Sequence, residues 1–489
     1  MQPIFINLPI CIIQYIADNY LQFMDVIHLK KVNRKCNKIK VKSFGKIKNI
    51  DTFTFDLDDN FYYVLTDDIL KFYPHLEELH LRNNVGNIDH LTNLTKLIAP
   101  YAQRVTNEYL KNLIHLEELN ISNCFGITYV NNFTNLKKLN MSRNKKIKNI
   151  DKLTKLESLD ISYTNIGNQE LKHLSNLKSL NVSMNELITD INHLSQLVRL
   201  EAIGYDCGIC DESIRNLTNL EHLFIYANKK IKYVNHFSNL KTLDSECDYK
   251  INNNINNLTN LQKLYIKDLN NITDLNHLVN LTDLRVSGSN NITDDSIKTL
   301  TNLIKLDIDE NKNITNLNHF VNLKKLRIFK NYAINNNCID KLANLEYLYL
   351  DENYSITNIN HLVNLVELQL LSDKIITVDG IDKLTNLKTL HIYGKSNITN
   401  DSIAFLINLE DLHIRNNPHI YNINHLTKLK ILNASGKHCG LDNNGIRDLI
   451  QLRQISANCN DKITKVNELN KSNCLNFDYF GSDSESDDI

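Results

Sequence analysis

The chain has 489 residues, 42% of them apolar, and carries 55 basic against 56 acidic side chains, a formal net charge of -1. Apolar content on that scale can bury a large core, whereas balanced charge excludes a general electrostatic binder of nucleic acid or membrane surface. No run of about 20 apolar residues occurs, so no membrane-spanning helix is expected. The ten cysteines are scattered along the chain. That fits reduced thiols in a cytoplasmic protein, with the nucleus open, better than a short disulfide-dense scaffold.

Residues 1–45 come first. The apolar stretch from Ile4 to Ile16 is interrupted by Asn7, Pro9 and Gln14, and it lacks the basic start and small-residue cleavage site of a signal peptide. Pro9 suits the first turn of a helix, after which Ile12, Ile13 and Ile16 share an apolar face. Asp25 can cap a second helix with Val26, Leu29, Val32 and Cys36 on one stripe. The segment is predicted to be a small helical module. With about 45 residues its own core is marginal, so it must lean on a partner or on the neighbouring chain.

A different pattern follows, Leu-x-x-Leu-x-(Ile/Leu/Val), whose first leucine is called i below. Residues 46–75 hold a worn copy, with Ile50, Phe53 and Phe55 at i, i+3 and i+5, read as a capping repeat. From Leu76 to Leu429 the phrase starts eighteen times, with a worn nineteenth start at Leu452; after Leu94 the starts lie 20 to 23 residues apart. A fixed period in this range means a solenoid. Alternation at i+3 to i+5, as in Leu306-Asp307-Ile308, means a short strand with one buried face. Asn recurs at i+8, in Asn84, Asn144, Asn185, Asn228, Asn311, Asn331, Asn353 and Asn417, where it can bond backbone groups at a bend. The return paths are of two kinds. Those like "LNHFVNL" are short and carry little helix. Those like "NITDDSIKTLTNL" (Asn291 to Leu303) allow Asp294 or Asp295 to cap a short helix that turns Ile297 and Leu300 inward. The array is expected over 76–475. Residues 476–489 are acidic and poor in apolar residues, which predicts a solvated tail.

Across roughly 400 residues this pattern resembles the leucine-rich repeat family. The resemblance implies an α/β solenoid with a parallel sheet on a concave face and short helices and turns on a convex one. About twenty strands spaced about 4.8 Å apart would make a right-handed arc about 90 Å long. The longer returns resemble the cysteine-containing repeats of many F-box proteins, although most coils lack the cysteine. The head resembles an F-box in Leu8-Pro9, then Ile12, Ile13 and Ile16, then Asp25-Val26, Leu29, Val32 and Arg34; the usual tryptophan after the arginine is absent, Lys35, Cys36 and Asn37 standing there. That second resemblance implies that Leu8, Pro9, Ile12, Ile13 and Val32 meet the Skp-type adaptor of a cullin–RING (SCF-type) ubiquitin ligase.

Candidate chemistry is sparse. Cys207-Gly208-Ile209-Cys210 is a lone CxxC without the second ligand pair a zinc site needs. His90, His193, His236, His277, His319, His361 and His425 recur in one phrase, but neighbours are mostly two repeats apart, about 10 Å, too far for one ion; they read as solvated turn residues. No phosphate-cradling glycine loop and no nucleophile–base set stands out, so no catalytic, cofactor-binding or metal-ligating residues, and no enzymatic activity, are expected.

Function should then lie on the outward positions i+2, i+4 and i+6. Early in the array these are mild, as in Asn120, Ser122, Asn140 and Ser142. Later they become Phe224, Tyr226, Tyr265, Arg285, Arg327, Phe329, Tyr347, Tyr349, His391, Tyr393, His413 and Arg415, the residue types that dominate binding hot spots. Interleaved Asp307, Asp309 and Asp351 favour a protein or peptide over a phosphate backbone. The expectation is a monomeric, non-catalytic protein-binding module that recognises substrates for a ubiquitin ligase. The alternative is a leucine-rich-repeat scaffold or inhibitor with no ligase link.

Overall fold

The computed structural model describes residues 75–464, apart from 82–86, 247–254, 269–271, 289–290, 372–375, 377 and 394–395, together with Leu70 and two short strands before them. The expected helical head at 1–45, with Leu8, Pro9, Ile12, Ile13 and Val32, and the acidic tail at 476–489 lie outside the described residues. In the region of the expected capping repeat, β1 (Phe53–Thr54) pairs antiparallel with β2 (Tyr62–Tyr63), so this strand belongs to a hairpin and not to the parallel ladder. The chain divides into two compact bodies, Met1–Asn260 and Leu261–Ile489.

Each body is a leucine-rich-repeat solenoid. In the first, consecutive parallel strands are β3 (Glu78–His80), β4 (Lys96–Ile98), β5 (Glu118–Asn120), β6 (Lys138–Asn140), β7 (Ser158–Asp160), β8 (Ser179–Asn181), β9 (Arg199–Glu201), β10 (His222–Phe224) and β11 (Thr242–Ser245). In the second they are β12 (Lys263–Lys267), β13 (Asp283–Ser287), β14 (Lys305–Asp309), β15 (Lys325–Phe329), β16 (Tyr347–Asp351), β17 (Glu367–Leu371), β18 (Thr389–Tyr393), β19 (Asp411–His413), β20 (Ile431–Asn433) and β21 (Gln454–Ser456). Like positions face like positions: Leu284 pairs with Leu306, Leu306 with Leu326, and Leu326 with Leu348. A slip of one residue would turn the whole leucine column outward, so burial of that column fixes the register. The i, i+3 and i+5 residues are fully buried, as in Leu303, Leu306 and Ile308, and the return path adds Ile314, Leu317 and Phe320.

In part of the array the residue at i+4 limits the strand. In β5 to β8 it is Asn120, Asn140, Asp160 or Asn181, whose side-chain oxygen accepts the backbone N–H of the serine two residues on at 3.0 Å. That local bond competes with the ladder and ends the strand after three residues. From β12 to β18 the position holds larger or otherwise engaged side chains, and the strands run for five residues, out to i+6. Asn433 restores the turn, bonding Ser435 N at 3.1 Å, and β20 is again short.

The bend after each strand has two recurring devices. Position i+7 is left-handed, with φ of 59° at Asn123, 61° at Arg143, 59° at Ala227 and 49° at Lys330. Position i+8 is, in many coils, the expected buried asparagine. Asn144 donates to the carbonyls of Cys124 (2.8 Å) and Ile127 (3.2 Å), and Asn228 to those of Ala202 (2.9 Å) and Ile209 (3.2 Å). Asn460 does the same to Ala434 (3.0 Å) and Leu441 (3.2 Å), so the worn start at Leu452 has the same strand and bend as the others. Asn84 lies outside the described residues.

A second asparagine ladder was not foreseen. The Asn directly before i donates to a carbonyl one coil back: Asn219 to Ser195 (2.9 Å), Asn302 to Val279 (3.0 Å), Asn344 to Val321 (2.9 Å) and Asn408 to Thr385 (2.8 Å). The longer returns carry one-turn helices, α1 (Asn107–Leu110), α2 (Asn168–Leu171), α3 (Asp211–Ile214), α4 (Asp294–Ile297) and α5 (Asn400–Ile403). The cap of α4 is Thr293, whose N–H donates to Ser296 Oγ at 2.9 Å. Asp294 is the first helical residue and reaches instead to Thr315 N of the next coil at 2.8 Å, tying two returns together. No helix among the described residues is long and apolar enough to cross a membrane.

Candidate binding face

The five-residue strands of the C-terminal body place three outward columns side by side, and their side chains engage one another. At one end the Tyr265 hydroxyl donates to Asp283 Oδ2 at 2.9 Å, and the Arg285 guanidinium lies 5.1 Å from the Tyr265 ring centre. Arg285 Nε donates to Asp307 Oδ2 at 3.0 Å, and Lys305 Nζ stands 3.4 Å from the same oxygen. The Asp307 side chain is only 4% exposed, and burying a carboxylate so fully is costly without such partners.

One strand further, Arg327 sits over aromatic rings, 4.8 Å from the centre of Tyr349 and 5.8 Å from that of Phe329, while Lys330 stands 4.8 Å over Phe329. Contacts of this kind hold the guanidinium by attraction to the ring faces. The Tyr349 hydroxyl donates to Asp351 Oδ2 at 3.2 Å. Burial, with Glu367 and Tyr349 adding to it, pushes the Tyr347 phenol up to about 12. The sequence placed these aromatics on an open face; they are instead half-buried against each other. They form a preset relief of rings and ion pairs.

At the far end β18 and β19 bring together His391, Tyr393, Asp411 and His413. The imidazoles of His391 and His413 stack at 4.0 Å with 16° between their planes. His391 Nε2 lies 3.6 Å from Asp411 Oδ2, and His413 Nε2 lies 3.2 Å from Asp411 Oδ1. The Tyr393 hydroxyl lies 3.2 Å from His413 Nδ1. Burial alone would raise the Asp411 carboxyl, but the two imidazoles outweigh it and hold the group well below the usual carboxylate range. Sequence reading named His391, Tyr393 and His413 as face residues but not Asp411, whose i+2 position becomes meaningful only once two neighbouring strands are paired.

Not every expected residue joins this face. Phe224 and Tyr226 belong to the N-terminal body, where Arg199 stacks over Phe224 at 4.2 Å and Tyr226 is half exposed. Arg415 follows β19 and is exposed; its charge partly offsets the upward push of burial and Asp411 on the Tyr393 phenol. Of the turn histidines, His193, His236 and His425 are exposed, as expected, and His90, His277, His319 and His361 are half-buried; three of the seven also tie the backbone. His193, His361 and His425 donate Nε2–H to the carbonyls of Leu171 (3.0 Å), Ile339 (3.1 Å) and Ile403 (3.1 Å), closing the preceding returns. Each of those carbonyls also accepts a backbone N–H, from Leu174, Leu342 and Leu406 respectively. Cys207 is buried and bonds Val182 O, while Cys210 sits at the start of α3; both are free thiols.

No family model and no curated protein matches the chain. Among solved structures it is similar to an internalin of Listeria monocytogenes, at 24% identity over 69% of this chain and 86% of that one with a TM-score of 0.35. It is similar to a leucine-rich-repeat protein of Leptospira interrogans, at 21% identity over 75% and 91% with a TM-score of 0.41. It is also similar to TLR13 in a complex with single-stranded RNA, at 17% identity over 77% and 76% with a TM-score of 0.44. The in-register leucine columns and asparagine ladders, rather than these superpositions, define the fold.

Proposed function

We propose that the protein is a non-catalytic binding module whose working surface is the outward face of β12 to β19. The observation that supports this most is the set of rings and charges around Arg327, with Phe329 and Tyr349 beneath it, held in place before any partner arrives. Rigid aromatics and arginines bind with little loss of side-chain freedom, and alternating Asp and Arg suit a folded protein or peptide of mixed charge. Replacing Phe329 and Tyr349 together with Ala should leave circular dichroism and melting unchanged. In quantitative affinity purification from the native source, the proteins enriched by the wild type should be lost. Retention of the same proteins would reject the face.

The finer reading is a substrate-recognition subunit of a cullin–RING ubiquitin ligase, its head on a Skp-type adaptor and its sheet face on the target. Support comes from the F-box-like residues Leu8, Pro9, Ile12, Ile13 and Val32 in the sequence. Such a receptor accelerates ligation by raising effective concentration. The free buried thiols of Cys124, Cys207 and Cys439 suit a reducing compartment, the cytoplasm or nucleus. Purified adaptor should be captured by the full chain and released by Leu8→Ala with Pro9→Ala. Equal capture by both, or by neither, leaves a plain leucine-rich-repeat scaffold or inhibitor.

A further inference from the structure

The cluster on β18 and β19 has the composition and convergence of a metal site. One ligand atom each from His391, Asp411 and His413 lies within 4.8 Å of the others. Around a tetrahedral zinc with bonds of about 2.0–2.1 Å, ligand atoms stand roughly 3.3 Å apart. The separations of 3.2 and 3.6 Å between the imidazole nitrogens and the carboxylate are close to that. The two rings stack nearly parallel, so at least one imidazole must turn about its side-chain bonds for both Nε2 lone pairs to meet one ion.

Two further observations point to an ion. His391 Nε2 and Asp411 Oδ1 are buried and have no partner outside the cluster itself, so their polar atoms are turned toward one another. Tyr393 sits on His413 Nδ1. A histidine that binds metal through Nε2 gives its Nδ1–H to an outer partner, which fixes the tautomer and the ring. The strand register supplies the geometry: His391 and His413 are paired neighbours in one column, and Asp411 stands two residues before His413 on the same side of the strand.

We propose that His391, Asp411 and His413 form a binding site for one divalent first-row transition-metal ion, zinc being the probe of choice. Two imidazoles favour this class over calcium or magnesium, which take oxygen ligands. Three protein ligands leave at least one position of a four-coordinate ion for water or for a donor group of a bound molecule. Tyr393 is a positioning residue that orients His413. The site stands on its own geometry and does not depend on the binding role given to the rest of the face.

The test is calorimetric titration of the full chain, stripped with chelator, against zinc chloride alone. One strong site per chain is expected. It should vanish in His391→Ala and in His413→Ala, persist in His361→Ala, and weaken about 10-fold in Tyr393→Phe, the scale of loss that follows removal of an outer-shell partner. X-ray absorption at the zinc edge on the unmodified protein gives a readout independent of variant folding, with imidazole scattering and no sulfur expected. A sulfur shell would place the ion on the cysteines and overturn the assignment. So would unchanged affinity in folded His391→Ala and His413→Ala, or no strong uptake by the wild type.

Discussion

The residue at i+7 of each coil carries an unusual burden. Twelve non-glycine residues adopt positive φ among the described residues, all of them at this position, although a left-handed L-residue costs roughly 1–2 kcal/mol. Ala227, with φ of 59°, tests this cleanly because glycine there removes only a methyl group. Ala227→Gly should raise stability by about 0.5–1 kcal/mol in denaturant unfolding, since relief of strain exceeds the added freedom of the unfolded chain. Gly204→Ala should do the reverse, because φ is 102° and a Cβ would collide with Met184. Thiol chemistry is equally local. Burial pushes the Cys124 and Cys207 thiols up to about 11. At pH 8 both are therefore protonated, and neither offers the thiolate that attacks iodoacetamide. In native protein the exposed Cys459 should be alkylated while Cys124 and Cys207 stay unmodified. Mass spectrometry showing equal labelling would refute that protection.

Strands and returns show how far sequence periodicity reaches. Buried columns such as Leu284, Leu306 and Leu326 were legible because their spacing repeats along the chain. So was the buried asparagine at i+8. The Asn before i was hidden by the abundance of asparagine, and its role shows only when the carbonyl one coil back is located, as for Asn344 and Val321. The His391–Asp411–His413 cluster was illegible for the same reason: its members come from two coils and meet only through strand pairing. The Arg285–Asp307–Lys305 group is a second cross-strand feature with a measurable consequence. Arg285→Met should destabilise the protein by about 3 kcal/mol, because Asp307 stays buried with one partner fewer. Adding Asp307→Leu should recover most of that loss in a double-mutant cycle.

For the molecule as a whole, a stack of coils bonded only to neighbours spreads damage over short distances. Leu306→Ala empties a fully buried position and should cost about 2–5 kcal/mol. Amide exchange should quicken in β13, β14 and β15 and remain slow in β4 to β6. A uniform acceleration across all strands would indicate global cooperativity and contradict the nearest-neighbour picture.

Both asparagine ladders run in one direction, each side-chain amide reaching toward a carbonyl laid down one coil earlier. Growth from the amino end therefore presents every arriving coil with acceptors already in place. In these two ladders a stop at the carboxyl side leaves bare oxygens, which water covers readily, and not side-chain amides. Trimming from the amino end instead strands the side-chain donors of both ladders, so the two ends of such a stack ask for different caps.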